Sequence, residues 1–179
     1  MKTKSFELFK IIEIEINSIC NRDCEFCPRY YNRSGIRKDK DGKLVRKQMS
    51  SEKVKAIIDE VTSAGFRGKI RFHRLSEPLV DARYLDFVKY ASSKGLLVVD
   101  HTNGDILKTN PDLCKQLDGL VDEFTIGLYD YSTYKGKQKE IAFWKASSKK
   151  QKLHFHCLLN TQIFDRAQKC MIKSIKIPE

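Results

Sequence analysis

The chain has 179 residues, 41% hydrophobic and 32% charged, which suits one soluble domain spanning residues 1–179 with enough apolar residues to fill a core. Its longest uncharged apolar runs, such as Leu96–Val99 and Cys157–Leu159, are strand-sized, which excludes a membrane-spanning helix, and the opening MKTKSFELFKIIEIE does not read as a secretory signal, so a cytoplasmic location is expected. The net charge of +11 comes from two segments, Pro28–Ser50 with eight Lys or Arg against two Asp and Ser132–Leu153 with seven Lys against one Glu, while the rest of the chain sums to −1; a basic domain body built for nucleic acid is excluded, and two local segments need explaining.

Strand and helix signals alternate along the chain. Phe9–Ile16 alternates apolar and charged residues in its second half, a period of two that predicts a strand. It ends at Asn17-Ser18, just before Cys20, Cys24 and Cys27. The basic loop 28–50 follows, a long Gly-containing connection. Ser50 then reads as an N-cap, with Val54, Ile57, Ile58 and Val61 at helical spacing and Gly65 as the stop. Lys69–His73 is a second strand, and Asp81 is expected to cap a second helix carrying Leu85, Val88 and Ala91, closed by Gly95. Leu96–Asp100 is a third strand, apolar until its last residue. Asn110-Pro111 opens a short helix, Phe124–Leu128 is a fourth strand, Lys139–Ser147 a helix and Leu153–Leu159 a fifth strand. The remainder, 161–179, reads as an extension, with Met171–Ile177 a candidate sixth strand.

Single helices between strands imply parallel pairing with right-handed crossovers. The predicted fold class is therefore α/β: an open, partial parallel βα barrel of five to six units. In such folds chemistry sits beyond the carboxyl ends of the strands. The cysteine cluster follows the first strand, Ser76-Glu77-Pro78 the second, Thr102-Asn103-Gly104 the third, Tyr129-Asp130 the fourth and Asn160 the fifth. Every distinctive polar or sulfur group falls on one rim.

Three cysteines at C-x3-C-x2-C are a soft-metal ligand set in a reducing compartment. They are one short of a structural zinc site or an ordinary [4Fe–4S] cluster. Cys114 is expected on a helix, Cys157 within a strand and Cys170 near the end, so none of these is presented beside the cluster.

The run Cys20-Asn-Arg-Asp-Cys24-Glu-Phe26-Cys27-Pro-Arg resembles the signature of the radical S-adenosylmethionine (radical SAM) superfamily, with flanking residues like those of its peptide-maturase branch. QMSSEKVKAIIDEV resembles that family's first helix, and RFHRLSEPLVDARYLDFVKYASSKGLLVVDHTNGDIL its second strand through third strand. The resemblance implies a [4Fe–4S] cluster on Cys20, Cys24 and Cys27, with S-adenosyl-L-methionine chelating the fourth iron. It places Phe26 beside the adenine and Ser76 and Glu77 in the slot that binds the methionine amino group. Thr102 and Asn103 match the loop near the ribose, Gly127 and Tyr129 stand where the family has a fourth-strand cofactor contact, and Leu158 packs on adenine. His73, His101 and Asp130 are expected nearest the substrate. The implied reaction is reductive cleavage to methionine and a 5′-deoxyadenosyl radical, which abstracts hydrogen from a peptide side chain or polar metabolite. An external flavodoxin- or ferredoxin-like protein would supply the electron. Two positions depart from the pattern: Leu75-Ser76 stands for paired glycines, and Gly127-Leu128-Tyr129-Asp130 for Ser-x-Asp-Gly. Many relatives continue into a cysteine-rich domain, whereas this sequence ends at Glu179, so auxiliary clusters are expected to be absent.

Two other readings compete. One is a zinc or iron–sulfur module that binds nucleic acid through the basic segments, with Tyr30 and Tyr31 as stacking partners. The other is a catalytically degenerate partner protein that keeps the fold. Thr102-Asn103-Gly104 is also an ordinary turn sequence, compatible with a cofactor loop.

Overall fold

The computed structural model describes residues 9–22, 24, 26–27, 41, 47–128, 134–147 and 152–156. The chain divides into two compact units, Met1–Asp100 and His101–Glu179.

In the first unit, β1 (Ile11–Glu13), β2 (Lys69–Arg71) and β3 (Leu97–Thr102) pair in parallel, with Ile12 opposite Ile70 and Ile70 opposite Val98. Helix α1 (Ser51–Ser63) joins β1 to β2, and α2 (Tyr84–Ser93) joins β2 to β3. The side chain of Ser50 accepts from Lys53 N–H at 3.2 Å and caps α1, and Val54, Ile58 and Thr62 turn one face into the core. Helix α2 buries Tyr84, Phe87, Val88 and Ala91. Phe72 lies between two of these rings, edge-on to Tyr84 and tilted to Phe87, with both centroids 6.1 Å away. Burying a side chain of this size contributes on the order of 2–3 kcal/mol, so this aromatic group anchors the segment that leaves β2.

Two boundaries differ from the sequence expectation for physical reasons. The first strand is shorter than Phe9–Ile16 because the chain changes partner. Ile14 N–H still donates to the Arg71 carbonyl, but the Ile16 carbonyl accepts from Met49 N–H, both at 2.8 Å, and Asn17 forms an antiparallel bridge to Gln48. The second helix starts at Tyr84 without a side-chain cap, and Asp81 instead closes a 3-10 turn over Pro78–Val80. Its carboxylate prefers the guanidinium of Arg83 to the role of helix cap.

The second unit contains α3 (Asp105–Thr109), α4 (Pro111–Leu117), β4 (Glu123–Gly127), α5 (Tyr134–Ser147) and β5 (Lys152–His156). Strands β4 and β5 pair in parallel from Glu123 opposite Lys152 to Gly127 opposite His156. Asn110 caps α4, its Oδ1 accepting from Leu113 N–H at 3.0 Å. Helix α3 was not foreseen, and α5 begins five residues earlier than expected. Parallel α/β pairing matches the expected class within each unit. The proposed sixth strand Met171–Ile177, the extension 161–179 and nearly all of the basic segment 28–46 lie outside the described residues. Among the described residues no helix is long and apolar enough to cross a membrane.

Gly104 has to be glycine in this arrangement. Its φ is +81°, and a Cβ there would stand 2.8 Å from the ring of Trp144, a 2% exposed core residue, and 3.3 Å from Ile126. Gly104→Ala combines a left-handed backbone with overpacking, so it should lower stability by about 2–4 kcal/mol in chemical denaturation. A loss under 0.5 kcal/mol would contradict this packing.

Candidate functional site

The cysteine loop leaves the body of the first unit through a clamp. Ser18 N–H donates to the Lys47 carbonyl at 2.9 Å, and Lys47 N–H returns to Ser18 Oγ at 2.8 Å. With the Asn17–Gln48 bridge, these bonds fasten the two ends of the segment that carries the three cysteines and the basic stretch. Asn17 is 2% exposed, and its Oδ1 accepts from Ile19 N–H at 2.7 Å, a side-chain turn that reverses the chain just before Cys20. Cys20, Cys24 and Cys27 are half-buried thiols outside any disulfide. Arg22 N–H points at Cys20 Sγ at 3.4 Å, and Cys27 N–H closes a turn onto the Cys24 carbonyl at 3.0 Å. Phe26, the expected adenine neighbour, is exposed.

The second component follows β2. Glu77 N–H donates to the Ile19 carbonyl at 2.8 Å, which places the Ser76-Glu77 turn directly against the start of the cysteine loop. On the other side Leu75 N–H donates to Glu15 Oε1 at 3.0 Å. Glu77 is 3% exposed, and its Oε1 accepts from Leu79 N–H at 3.2 Å at the head of the 3-10 turn. Arg83 holds that turn from outside: it grips Asp81 with Nε and Nη2 at 2.9 and 2.7 Å, and its Nη1 donates to the Met49 carbonyl at 3.0 Å and to Ser51 Oγ. Thus the glutamate turn, the clamp and the first turn of α1 are one hydrogen-bonded unit.

Behind it lies a network that the sequence reading missed. The buried Asp100 carboxylate, on β3, accepts from Phe72 N–H at 3.0 Å and Tyr84 O–H at 3.2 Å. Its other oxygen meets His73 Nδ1. Burial and the Asp100 charge raise the Tyr84 phenol well above its ordinary range, so it remains a donor. His73, expected near substrate, is therefore oriented by Asp100, with 12% of its side chain exposed. The signal available in the sequence was an aspartate closing an otherwise apolar strand.

Thr102 and Asn103 are buried where β3 ends. Their side-chain oxygens accept from Gly104 N–H and Asp105 N–H, each at 3.0 Å. Turn formation thus employs both, as the ordinary reading of Thr-Asn-Gly predicts. Gly127 is buried as the last residue of β4, and His101 is half-buried within β3. Tyr129, Asp130 and Leu158 lie outside the described residues. Cys114 is buried in α4, where burial pushes its thiol up, as expected of a structural cysteine.

The donor set can be tested for the implied cluster and sulfonium cofactor. Three thiols lie within eight residues of one loop, and two buried polar atoms without a hydrogen-bond partner, Asn17 Nδ2 and Ser76 Oγ, belong to the turn that enters this loop and to the segment bonded to its start. Each costs roughly 1–3 kcal/mol while unsatisfied, so a ligand bringing acceptors or an ammonium group fits here. Among the described residues, no three His, Cys, Asp or Glu side chains are gathered as a ready metal cage. Thiols are drawn together by the metal they bind, and such sites rarely form in advance. The residue types fit the group by chemistry.

The chain is 33% identical over 104 residues to the S-adenosyl-L-methionine-dependent 2-deoxy-scyllo-inosamine dehydrogenase of Niallia circulans, covering 56% of this chain and 38% of that enzyme. In fold it resembles the crystal structure of BtrN in complex with AdoMet and 2-DOIA, with a TM-score of 0.61 and 27% identity over 83% of this chain and 57% of BtrN. Selenomethionine BtrN in an open conformation shares the fold at a TM-score of 0.55 and 23% identity, covering 85% of this chain and 66% of that one. No family model matches. The chain spans under two thirds of each of these relatives. The fold they share with this chain is of the α/β class expected from the sequence.

The Arg83 grip has a measurable pH signature. Burial pushes the Asp81 carboxyl up, but the bonds and charge of Arg83 outweigh it and leave the group below its usual range. Its stabilising effect is therefore present above the unfolded value near 3.9 and is lost as pH falls through the lower folded value. Arg83→Met should cost about 2 kcal/mol at pH 7, and denaturation at graded pH should show the gap to wild type narrowing below about pH 4. A gap independent of pH would contradict the pairing.

Proposed function

We propose that the chain is a radical S-adenosylmethionine enzyme core, a partial βα barrel whose site lies at the carboxyl ends of β1 and β2 and continues along β3. The observation that carries this reading is the 2.8 Å bond from Glu77 N–H to the Ile19 carbonyl, which joins the cysteine loop to a buried glutamate turn. A metal-binding loop alone would need no such neighbour.

In this reading the thiolates of Cys20, Cys24 and Cys27 would hold a [4Fe–4S] cluster, one cysteine short of its usual four, and S-adenosylmethionine would bind at the position left open. Bound there, the pair would supply one-electron reductive cleavage of the sulfonium to methionine and a 5′-deoxyadenosyl group able to abstract hydrogen. The Glu77 carboxylate, buried and held by Leu79 N–H, would accept a hydrogen bond from the N–H of the methionine amino group, a bond strengthened by the carboxylate's charge. Ser76 Oγ, buried and unpartnered, is a further contact at that end. It stands where the family carries glycine, so a hydroxyl replaces a bare backbone approach. The family resemblance, and not the structure, would assign Phe26, Thr102, Asn103, Gly127, Tyr129 and Leu158 to the nucleoside and His73, His101 and Asp130 to the substrate. His73 meets substrate as an oriented ring because Asp100 fixes it through Nδ1. The electron comes from a flavodoxin- or ferredoxin-like donor, for which the basic segment 28–50 is a suitable electrostatic partner.

Between the two substrate classes, the relatives favour a small polar metabolite over a peptide. One acts on 2-deoxy-scyllo-inosamine and the other was solved with 2-DOIA. An amine- and hydroxyl-bearing ring compound is the class we assign.

Anaerobic reconstitution with iron and sulfide should give about four irons per chain, and addition of dithionite and S-adenosylmethionine should release 5′-deoxyadenosine. Cys24→Ala should abolish both. A chain that incorporates neither iron nor sulfide, or a loaded chain that forms no 5′-deoxyadenosine, would overturn the assignment. In the latter case a cluster-bearing partner protein becomes the better reading.

A further inference from the structure

We infer that the side-chain amide of Asn17 donates an N–H···S hydrogen bond to the sulfur of the metal centre held by the cysteine loop, and that this bond raises the centre's reduction potential. The inference rests on the cluster reading above and adds to it a residue outside the cysteine motif.

Three observations carry it. Asn17 is 2% exposed, and its Nδ2 is buried without a hydrogen-bond partner. Its orientation is fixed: Oδ1 is held at 2.7 Å by Ile19 N–H, while the backbone of Asn17 is bridged to Gln48. An amide is planar, so fixing the oxygen turns the two Nδ2 hydrogens to the opposite edge of the group. The turn that does this ends one residue before Cys20, and the carbonyl of its last residue, Ile19, accepts from Glu77 N–H. The donor therefore belongs to the most constrained part of the loop. Finally, N–H···S bonding is already present there, since Arg22 N–H is directed at Cys20 Sγ at 3.4 Å.

Nδ2 is a donor only, which excludes the methionine ammonium as its partner and favours an electron-rich acceptor. Thiolate and sulfide sulfur are the acceptors that the loop would bring closest. Hydrogen bonds to cluster sulfurs stabilise the reduced, more negative state and shift the potential upward.

The test uses the reconstituted 179-residue chain. Wild-type protein labelled with 15N only at asparagine is reduced, and electron spin-echo envelope modulation is recorded on the cluster without added S-adenosylmethionine. A 15N coupling should be present in wild type and absent in Asn17→Ser, whose hydroxyl keeps the acceptor for Ile19 N–H but removes the amide donor. A potentiometric titration followed by electron paramagnetic resonance should show the one-electron equilibrium of Asn17→Ser moved roughly tenfold toward the oxidised form, equivalent to about 59 mV. Before reconstitution, the same variant should unfold at the wild-type temperature or above, because it removes an unsatisfied donor. A loaded wild-type chain without 15N coupling overturns the inference and leaves the cluster reading standing. An unchanged potential in a fully loaded variant does the same. A wild-type chain that takes up no iron or sulfide overturns both together.

Discussion

A single backbone hydrogen bond, Glu77 N–H to the Ile19 carbonyl, sets the geometry on which the site depends. It joins residues 58 positions apart, and both ends are themselves fixed. Ile19 is held from below by the Asn17 side chain, and Glu77 heads a 3-10 turn secured by the Asp81–Arg83 pair. Main-chain groups in a buried segment must find partners. Here the partner chosen brings a carboxylate to the beginning of a thiol loop.

The supporting layers have separate energetic origins. The aromatic group of Phe72, Tyr84 and Phe87 anchors the chain leaving β2 through burial. Asp100 adds directional bonds to Phe72 N–H, Tyr84 O–H and His73, so the same residue that stitches β2 to α2 also orients an imidazole. Arg83 couples the glutamate turn to the first turn of α1. A substitution in any of these should therefore act on the site through position, with fold stability and ligand binding changing together. Asn17 and Ser76 differ in kind, since each contributes a buried polar atom that lacks a partner in the unloaded chain.

Local signals made the repeating architecture legible. Ser50 and Asn110 cap their helices as read, and Gly65 and Gly95 take positive φ immediately after α1 and α2. What escaped was non-local. The early end of β1 depends on Met49 and Gln48 returning to Ile16 and Asn17, across more than thirty residues that carry no strand signal. Asp81 looked like a helix cap because its competitor for the role, Arg83, is a partner only once the turn has formed. In the site, the cysteine spacing and Glu77 stand out because their chemistry is explicit in residue type, and the structure sets Glu77 against the start of the cysteine loop. The Asp100–His73–Tyr84 network could not, because burial alone turns three common residues into a directed set.

The central claim is that the cysteine loop and the glutamate turn form one binding site. Calorimetric titration of S-adenosylmethionine into the chain before and after anaerobic reconstitution tests it most directly, with Glu77→Gln measured alongside. The account predicts no measurable binding to the iron-free chain, saturable binding after reconstitution, and binding weakened about tenfold or more by Glu77→Gln with iron content unchanged. Equal affinity with and without the cluster, or a Glu77→Gln chain that binds as wild type does, would contradict it.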